Sequence, residues 1–95
     1  MVINFEQVHN YYERLVFEAV VGLSEAYTDY DSDNLADVAC VALNRLPARY
    51  VRHDVDMMFY LTEKERQGIE ESLYEAITFA FLFVGKRMGK QDTQA

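Results

Sequence analysis

Residues 37–50 read DVACVALNRLPARY, a stretch that contains the only proline and the only cysteine of the chain. Small apolar side chains recur at helical spacing before the proline, which predicts a helix that can approach its neighbours closely. Because the proline ring disfavours helical geometry at Leu46, we expect this helix to end at Pro47. The chain should leave the turn as an extended segment over residues 48–53.

An acidic loop, residues 28–34 with the sequence TDYDSDN, precedes that helix. Asp and Ser side chains favour turns because they bond nearby backbone groups instead of continuing a helical ladder. We therefore expect the loop also to cap the helix that follows, which should begin at Asp33 or Asn34.

The N-terminal quarter of the chain carries the pattern of an amphipathic helix. Asn4 can cap it through its side-chain oxygen, and apolar residues recur every three or four positions from Phe5 to Leu23. His9 lies on this helix without a second His or a Cys at ligand spacing. We interpret it as a surface or partly packed histidine.

The second half of the chain combines a short apolar stretch with a long helix. Residues 54–61, DVDMMFYL, could form a strand or a packed extended arm. Thr62 and Glu65 then form a capping-box pattern that should open the last helix. The core stripe of that helix is Ile69, Leu73, Ala76, Ile77, Ala80, Phe81 and Val84.

The last helix is apolar on its other sides as well, through Phe79, Leu82 and Phe83. A helix that is apolar all round is buried all round, and a chain of 95 residues can hardly cover every face. We expect this half of the helix to lie in a homodimer interface. The predicted fold class is all-α, mainly α: a small compact helical domain of three main helices with a short extended segment. Residues 1–88 should form this single domain and residues 89–95 a flexible C-terminal tail.

Composition narrows the environment and the partners. The net charge of -7 and the pI near 4.6 argue against broad nucleic acid binding and against binding to an anionic membrane. The longest apolar run, residues 76–84, is far shorter than the roughly 20 residues that span a bilayer. One cysteine excludes an internal disulfide, and Cys40 fits a small buried hydrophobe within its helix. We expect a cytoplasmic protein with no membrane association and no cofactor.

Three arginines fall within eight positions around the proline turn of this acidic chain: Arg45, Arg49 and Arg52. The planar guanidinium fork binds phosphate bidentately and stacks on bases, and Tyr50 adds a further stacking face. The group Arg45, Arg49, Tyr50 and Arg52 therefore predicts a site for a small anionic nucleotide. A two-fold axis near the turn would double the patch to six arginines.

A structural role is the alternative, in which the same arginines pair with Asp37, Asp54 or Asp56 to hold the turn. The residues assigned to the structure of the turn are Asp37, Asn44, Leu46 and Pro47. No sequence pattern of a catalytic triad, a phosphate-binding loop or a zinc protease is present, so we expect no enzyme.

Several short motifs are spread along the chain: Asn10, Glu13 and Val16, then Asp37-Val38, then ALNRLP over residues 42–47, then Tyr50-Val51. Together they resemble the late competence protein ComFB family, and residues 62–84 are similar to the closing helix of that family. The resemblance implies a compact helical homodimer with a regulatory rather than a catalytic role. Some relatives act as receptors for cyclic dinucleotides such as cyclic di-GMP and cyclic di-AMP.

Zinc is tied to a C-x-C-x-x-C pattern that many members of the family carry before the D-V pair. The corresponding positions here are Asp29, Asp31 and Asn34, so the thiolates are gone and no metal is expected. The second proline that often follows Pro47 is Ala48 in this chain.

The sequence thus predicts a non-enzymatic cytoplasmic signalling protein that binds cyclic di-GMP or cyclic di-AMP and acts on an unidentified protein partner. The alternative is a ligand-free dimeric protein-interaction module in competence or motility regulation.

Overall fold

The computed structural model describes residues 1–93, with the backbone alone for residues 90–93. The elements along the described chain are β1 His9–Asn10, α1 Tyr12–Leu23, a 3-10 turn Ser24–Ala26, α2 Ser32–Arg45, β2 Tyr50–Val51, α3 Asp56–Tyr60 and α4 Glu63–Thr93. The prediction of a mainly α domain with three main helices and a short extended segment is confirmed, because α1, α2 and α4 are the long helices.

Helix α2 begins and ends for local reasons. Asp31 accepts a hydrogen bond from the backbone N–H of Asn34 at 2.8 Å, and the Asn34 side chain accepts one from the N–H of Asp31 at 3.0 Å. This reciprocal cap starts the helix at Ser32, one residue before the earlier of the two expected positions. Leu46 has extended geometry, with φ −95 and ψ 140, so the helix ends just before Pro47 as expected.

Helix α1 begins at Tyr12, so the prediction of a helix from Phe5 is wrong. The side-chain oxygen of Asn4 accepts a hydrogen bond from the N–H of Glu6 at 2.8 Å and forms a local turn instead of a helix cap. Strand β1 follows and pairs antiparallel with β2, so its backbone is extended. A residue that pairs in a strand cannot also belong to a helical ladder, and α1 can start only after Asn10.

The short apolar stretch 54–61 forms helix α3, so neither a strand nor an extended arm is correct. Its first turn closes through a bond from the N–H of Met57 to the carbonyl of Asp54 at 3.0 Å. Arg66 donates to the carbonyl of Met58 at 3.0 Å, which satisfies a backbone oxygen near the end of α3. The buried Met57 anchors the helix, while Met58 and its two aromatic neighbours are exposed.

Helix α4 has the predicted cap, since the Thr62 hydroxyl accepts a hydrogen bond from the N–H of Glu65 at 3.1 Å. The helix continues to Thr93, so residues 89–93 of the expected flexible tail are helical. One glycine costs a helix about 1 kcal/mol, too little to end a helix that packing has already formed. Residues 94–95, the end of the expected tail, lie outside the described residues.

The core lies between α1, α2 and α4, with α2 packed most extensively on α4. Its buried members are Tyr12, Val16, Val20, Val38, Ala39, Ala42, Leu46, Ala76, Ile77, Ala80, Phe81 and Val84. Cys40 is exposed, which corrects its interpretation as a buried hydrophobe. Val38, Ala39 and Ala42 form the face of α2 that packs into the core. Cys40 lies beside that face and is therefore exposed. No helix in residues 1–93 is both long enough and apolar enough to cross a membrane.

Candidate functional site

The candidate site lies at the two-stranded ribbon, and Asn10 organises it. Asn10 is only 8% exposed, and its side-chain oxygen accepts hydrogen bonds from the N–H of Arg49 at 3.0 Å and from the N–H of Tyr12 at 3.2 Å. The N–H of Tyr11 donates to the carbonyl of Arg49 at 2.6 Å. Both backbone polar groups of Arg49 are therefore held by the segment that precedes α1.

Arg49, Tyr50 and Arg52 are exposed along β2 and its flanks, with 68% of Tyr50 accessible. Within the described residues, neither the Arg49 nor the Arg52 guanidinium group has a hydrogen bond or an ion pair. In an extended chain alternate side chains share a face, which puts Tyr50 with Arg52 and Arg49 on the opposite side. Two cationic groups and one aromatic ring thus lie open to solvent on a backbone that is held in place.

The Arg49 charge acts on the interior as well. Burial raises the pKa of the Tyr12 phenol, and the positive charge of Arg49 opposes that rise. A cation has this effect on a neighbouring phenol because it stabilises the phenolate. The same field would attract an anionic ligand at this edge of the ribbon.

Arg45 is held differently, against α4. Its Nη2 and Nε atoms donate to the Glu75 carboxylate at 2.6 and 2.8 Å, and its Cζ atom lies 3.9 Å from the centroid of the Phe79 ring. The hydrogen bond from Arg45 lowers the pKa of Glu75, and the same bond raises the pKa of Arg45. An anion could use Arg45 only by sharing or replacing Glu75.

The arginines do not have the acidic partners considered from the sequence. Arg45 pairs with Glu75, and Asp54 pairs with His9 and with Arg14. The contact with Glu75 has no local sequence signal, because the two residues are 30 positions apart.

Asp54 joins the ribbon to α1. Its two oxygens lie 2.6 Å from His9 Nε2 and 3.0 Å from Arg14 Nε, and the other ring nitrogen of His9 lies 2.6 Å from the carbonyl of Gln7. Since both His9 nitrogens face acceptors, the contacts favour the protonated ring. The pKa of His9 is raised, first by the bond to Asp54, and the pKa of Asp54 is lowered, first by the bond to His9.

The residues assigned to the turn occupy different places. Leu46 is buried below the turn, and Pro47 is exposed. Asn44 donates to the carbonyl of Cys40 at 3.0 Å within α2. Asp37 is exposed in α2 and is not part of the turn itself.

The acidic loop over residues 28–34 caps α2 with Asp31 and Asn34. Within the described part of the chain, no three His, Cys, Asp or Glu side chains are grouped in a way that could hold a metal ion. The reciprocal cap gives this loop a structural role at the start of α2.

A family model described as late competence development protein ComFB matches residues 9–88. This range includes both strands, the four helices up to Met88 and every residue of the candidate site. Searches of curated proteins and of solved structures give no significant match. The chain belongs to the late competence development protein ComFB family, which indicates a competence-related regulatory protein.

Proposed function

We propose that this protein is a non-enzymatic cytoplasmic regulator that binds a cyclic dinucleotide, cyclic di-GMP or cyclic di-AMP, and then acts on a protein partner. Arg49, Arg52 and Tyr50 provide the primary contacts, and Arg45 borders them at the end of α2. The guanidinium groups bind the phosphates, and the Tyr50 ring stacks on a base.

One observation supports this proposal above the others. In a chain with a net charge of -7, the exposed guanidinium groups of Arg49 and Arg52 have no acidic partner among the described residues, and Tyr50, between them in sequence, shares a face with Arg52. Structural arginines are normally paired, as Arg45 is with Glu75. A fixed backbone also lowers the entropy that a ligand loses on ordering the site.

The ligand site is completed by a second copy in the proposed homodimer. Leu82 and Phe83 of α4 are 62% and 41% exposed, which gives the monomer an apolar face of the kind that subunit contacts cover. A two-fold axis near the ribbon would bring two sets of arginines together. A symmetric dianion such as a cyclic dinucleotide matches that symmetry.

Isothermal titration with cyclic di-GMP and cyclic di-AMP tests the proposal. Arg49→Ala should weaken binding by about 1 to 3 kcal/mol, as expected for a charge-assisted contact. Lys64→Ala removes the same charge from the exposed first turn of α4, away from Leu82 and Phe83, and serves as the matched control, with little change in affinity. The linear dinucleotide of the same bases should bind more weakly than the cyclic one. Equal losses in both variants would assign the effect to net charge alone.

The second candidate is a ligand-free dimeric interaction module in competence or motility regulation. The exposed apolar side chains of α4 favour it, because they need no small molecule to explain them. Light scattering at micromolar concentration separates the monomer of 11.1 kDa from a dimer. A dimer whose protein partners are unchanged by either nucleotide would support this module over the receptor.

A further inference from the structure

Helices α1 and α2 leave an open apolar groove between them, away from the arginine site. Its volume is about 430 Å³, and every lining residue is apolar or a cysteine: Phe17, Val20, Val21, Leu35, Ala36, Ala39, Cys40 and Leu43. Phe17 is 48% exposed and Val21 is 70% exposed, so the α1 side of the groove lies largely open to solvent.

The groove has the shape that accepts another helix. Small residues of α2, Ala36, Ala39 and Cys40, form part of its lining, and larger side chains rise on either side. Small side chains let a third helix approach closely, and ridges on that helix can fit between the larger ones. An amphipathic helix laid in such a groove is a common mode of peptide recognition.

The border of the groove is acidic. On α1 and the 3-10 turn that follows it, Glu18 adjoins Phe17, and Glu25 lies one turn beyond Val21. On α2, Asp33 and Asp37 lie within one turn of Ala36. The basic residue nearest the groove on α1 is Arg14, which is already paired with Glu18 and Asp54. Asp37 also lines a neighbouring cleft with Arg87.

We infer that this groove binds a partner protein through an amphipathic helix with apolar residues on one face and Lys or Arg residues beside them. Carboxylates on both borders complement those cations and disfavour an acidic helix. The inference deepens the proposed function, because it rests on the regulator acting through a protein partner. It assigns that partner to a surface separate from the arginine site.

A second copy of the same groove is a poor occupant. Apposing two such faces would bring the acidic border of one copy, with Glu18, Glu25, Asp33 and Asp37, against the acidic border of the other. Like charges across a contact disfavour association, and each chain already carries a net charge of -7. A helix from another protein with Lys or Arg on its flanks avoids that repulsion. The charges therefore favour a different protein over a second copy of this chain.

Cys40 provides a direct reporter, because it is the only cysteine of the chain, is exposed and lines the groove. The probe is a synthetic helix of about 15 residues with Leu at positions i, i+3 and i+7 and Lys on both flanks. At saturation it should slow alkylation of Cys40 roughly tenfold, because a thiol must be accessible to react. A helix with Glu in place of Lys, and a scrambled Lys peptide of the same composition, should not protect Cys40.

Two variants give the controls. Ala36→Gln places a longer polar side chain on the exposed border of the groove and should abolish protection, with the helical circular dichroism unchanged. In Cys40→Ser/Ser72→Cys the thiol moves to an exposed site on α4, where the Lys helix should give no protection. Protection in that variant, or equal protection of Cys40 by the scrambled peptide, would show non-specific adsorption and overturn the inference.

Two further outcomes also overturn it. One is equal protection of Cys40 by the Glu helix, which would show that the acidic border does not favour a basic helix. The other is a wild-type dimer that becomes a monomer in Ala36→Gln, which would make the groove the homodimer contact. A failed nucleotide titration with intact, Lys-specific protection of Cys40 would contradict the ligand proposal alone. The reverse result would contradict the groove alone.

Discussion

The side chain of Asn10 holds the backbone of Arg49, with its oxygen 3.0 Å from the Arg49 nitrogen across 39 positions of sequence. The same oxygen accepts from the first residue of α1, Tyr12, at 3.2 Å. One buried amide therefore fixes both the start of a core helix and the position of a candidate ligand residue. This links the stability of the fold to the geometry of the site.

Replacing Asn10 with Ala should destabilise the protein by about 2 kcal/mol, because two backbone N–H groups lose their shared acceptor in a mostly buried position. Urea unfolding followed by circular dichroism measures the change. Asn44→Ala is the matched control, since Asn44 is exposed and its bond lies within α2. There the higher helix propensity of Ala offsets the lost bond, and the change should stay within about 0.5 kcal/mol. Equal losses of stability in both variants would show that Asn10 contributes no more than an ordinary exposed side chain.

The contact between His9 and Asp54 should make stability depend on pH. The pKa of His9 is raised above 6.5, so its contribution is complete below that pH and is lost as the pH rises through the folded-state value. The pKa of Asp54 is lowered below 3.8, so its contribution is present above 3.8 and is lost as the pH falls through the folded-state value. Stabilisation by the pair is therefore greatest between these limits.

Proton NMR of His53→Ala checks this, because His9 is then the only histidine. We expect the His9 ring to titrate above 6.5 and to shift back towards that value in His53→Ala/Asp54→Asn. Urea unfolding should show stability falling as the pH rises above 6.5, with a smaller fall in His9→Ala. If Asp54→Asn leaves the His9 titration unchanged, the pair does not form in solution.

Gly85 and Tyr30 should show coupled stability. The Tyr30 hydroxyl donates to the carbonyl of Phe81 at 2.7 Å, and a Cβ atom at position 85 would lie 2.5 Å from that hydroxyl oxygen. Gly85→Ala must displace the ring and break the bond, so it should destabilise by about 1 kcal/mol despite the better helix propensity of Ala.

Removing the Tyr30 hydroxyl should reverse the sign of the stability change that Gly85→Ala causes. In Tyr30→Phe the nearest ring carbon would lie 3.6 Å from the new Cβ, an ordinary contact. Gly85→Ala in that background should stabilise by up to about 1 kcal/mol. A double-mutant cycle from thermal or urea unfolding measures the coupling. Additive effects would show that the hydroxyl does not pack against Gly85.

Glu75 should compete with the nucleotide for Arg45. Glu75→Gln weakens the charge-assisted pair and frees the guanidinium group, so cyclic dinucleotide affinity should rise by roughly threefold. Glu71→Gln, an exposed carboxylate on the same helix, is the control for net charge. Titration calorimetry compares the two variants. An equal rise in both, or no rise in Glu75→Gln, would place Arg45 outside the ligand site.

The two helix ends fixed by neighbouring residues could be predicted from sequence. Pro47 sets the end of α2, and the Thr62 hydroxyl with the N–H of Glu65 sets the start of α4. The core stripe of α4 was also visible, since Ala76, Ile77 and their neighbours recur at helical spacing. These features depend on residues no more than three or four positions apart, so a local sequence pattern can predict them.

Features set by distant contacts could not be predicted. The start of α1 depends on Asn10 and Arg49, far apart in sequence, although the apolar periodicity continues back to Phe5. The five helical residues of α3 include Met58, whose carbonyl accepts a hydrogen bond from Arg66, a contact that no pattern within the segment indicates. At the candidate site, the arginine cluster could be predicted from the sequence. The ion pair between Arg45 and Glu75 could not, and neither could the hydrogen bond from the Arg49 N–H to Asn10.

The central claim is that Arg49, Tyr50 and Arg52 bind a cyclic dinucleotide on a ribbon supported by Asn10. Amide NMR shift mapping during titration with cyclic di-GMP, and separately with cyclic di-AMP, tests it most directly. For at least one nucleotide, the largest shifts should fall on residues 49–52 and on the side-chain amide of Asn10, and should be lost in Arg49→Ala. Absence of shifts with both nucleotides at tens of micromolar, or shifts centred elsewhere, would contradict the claim.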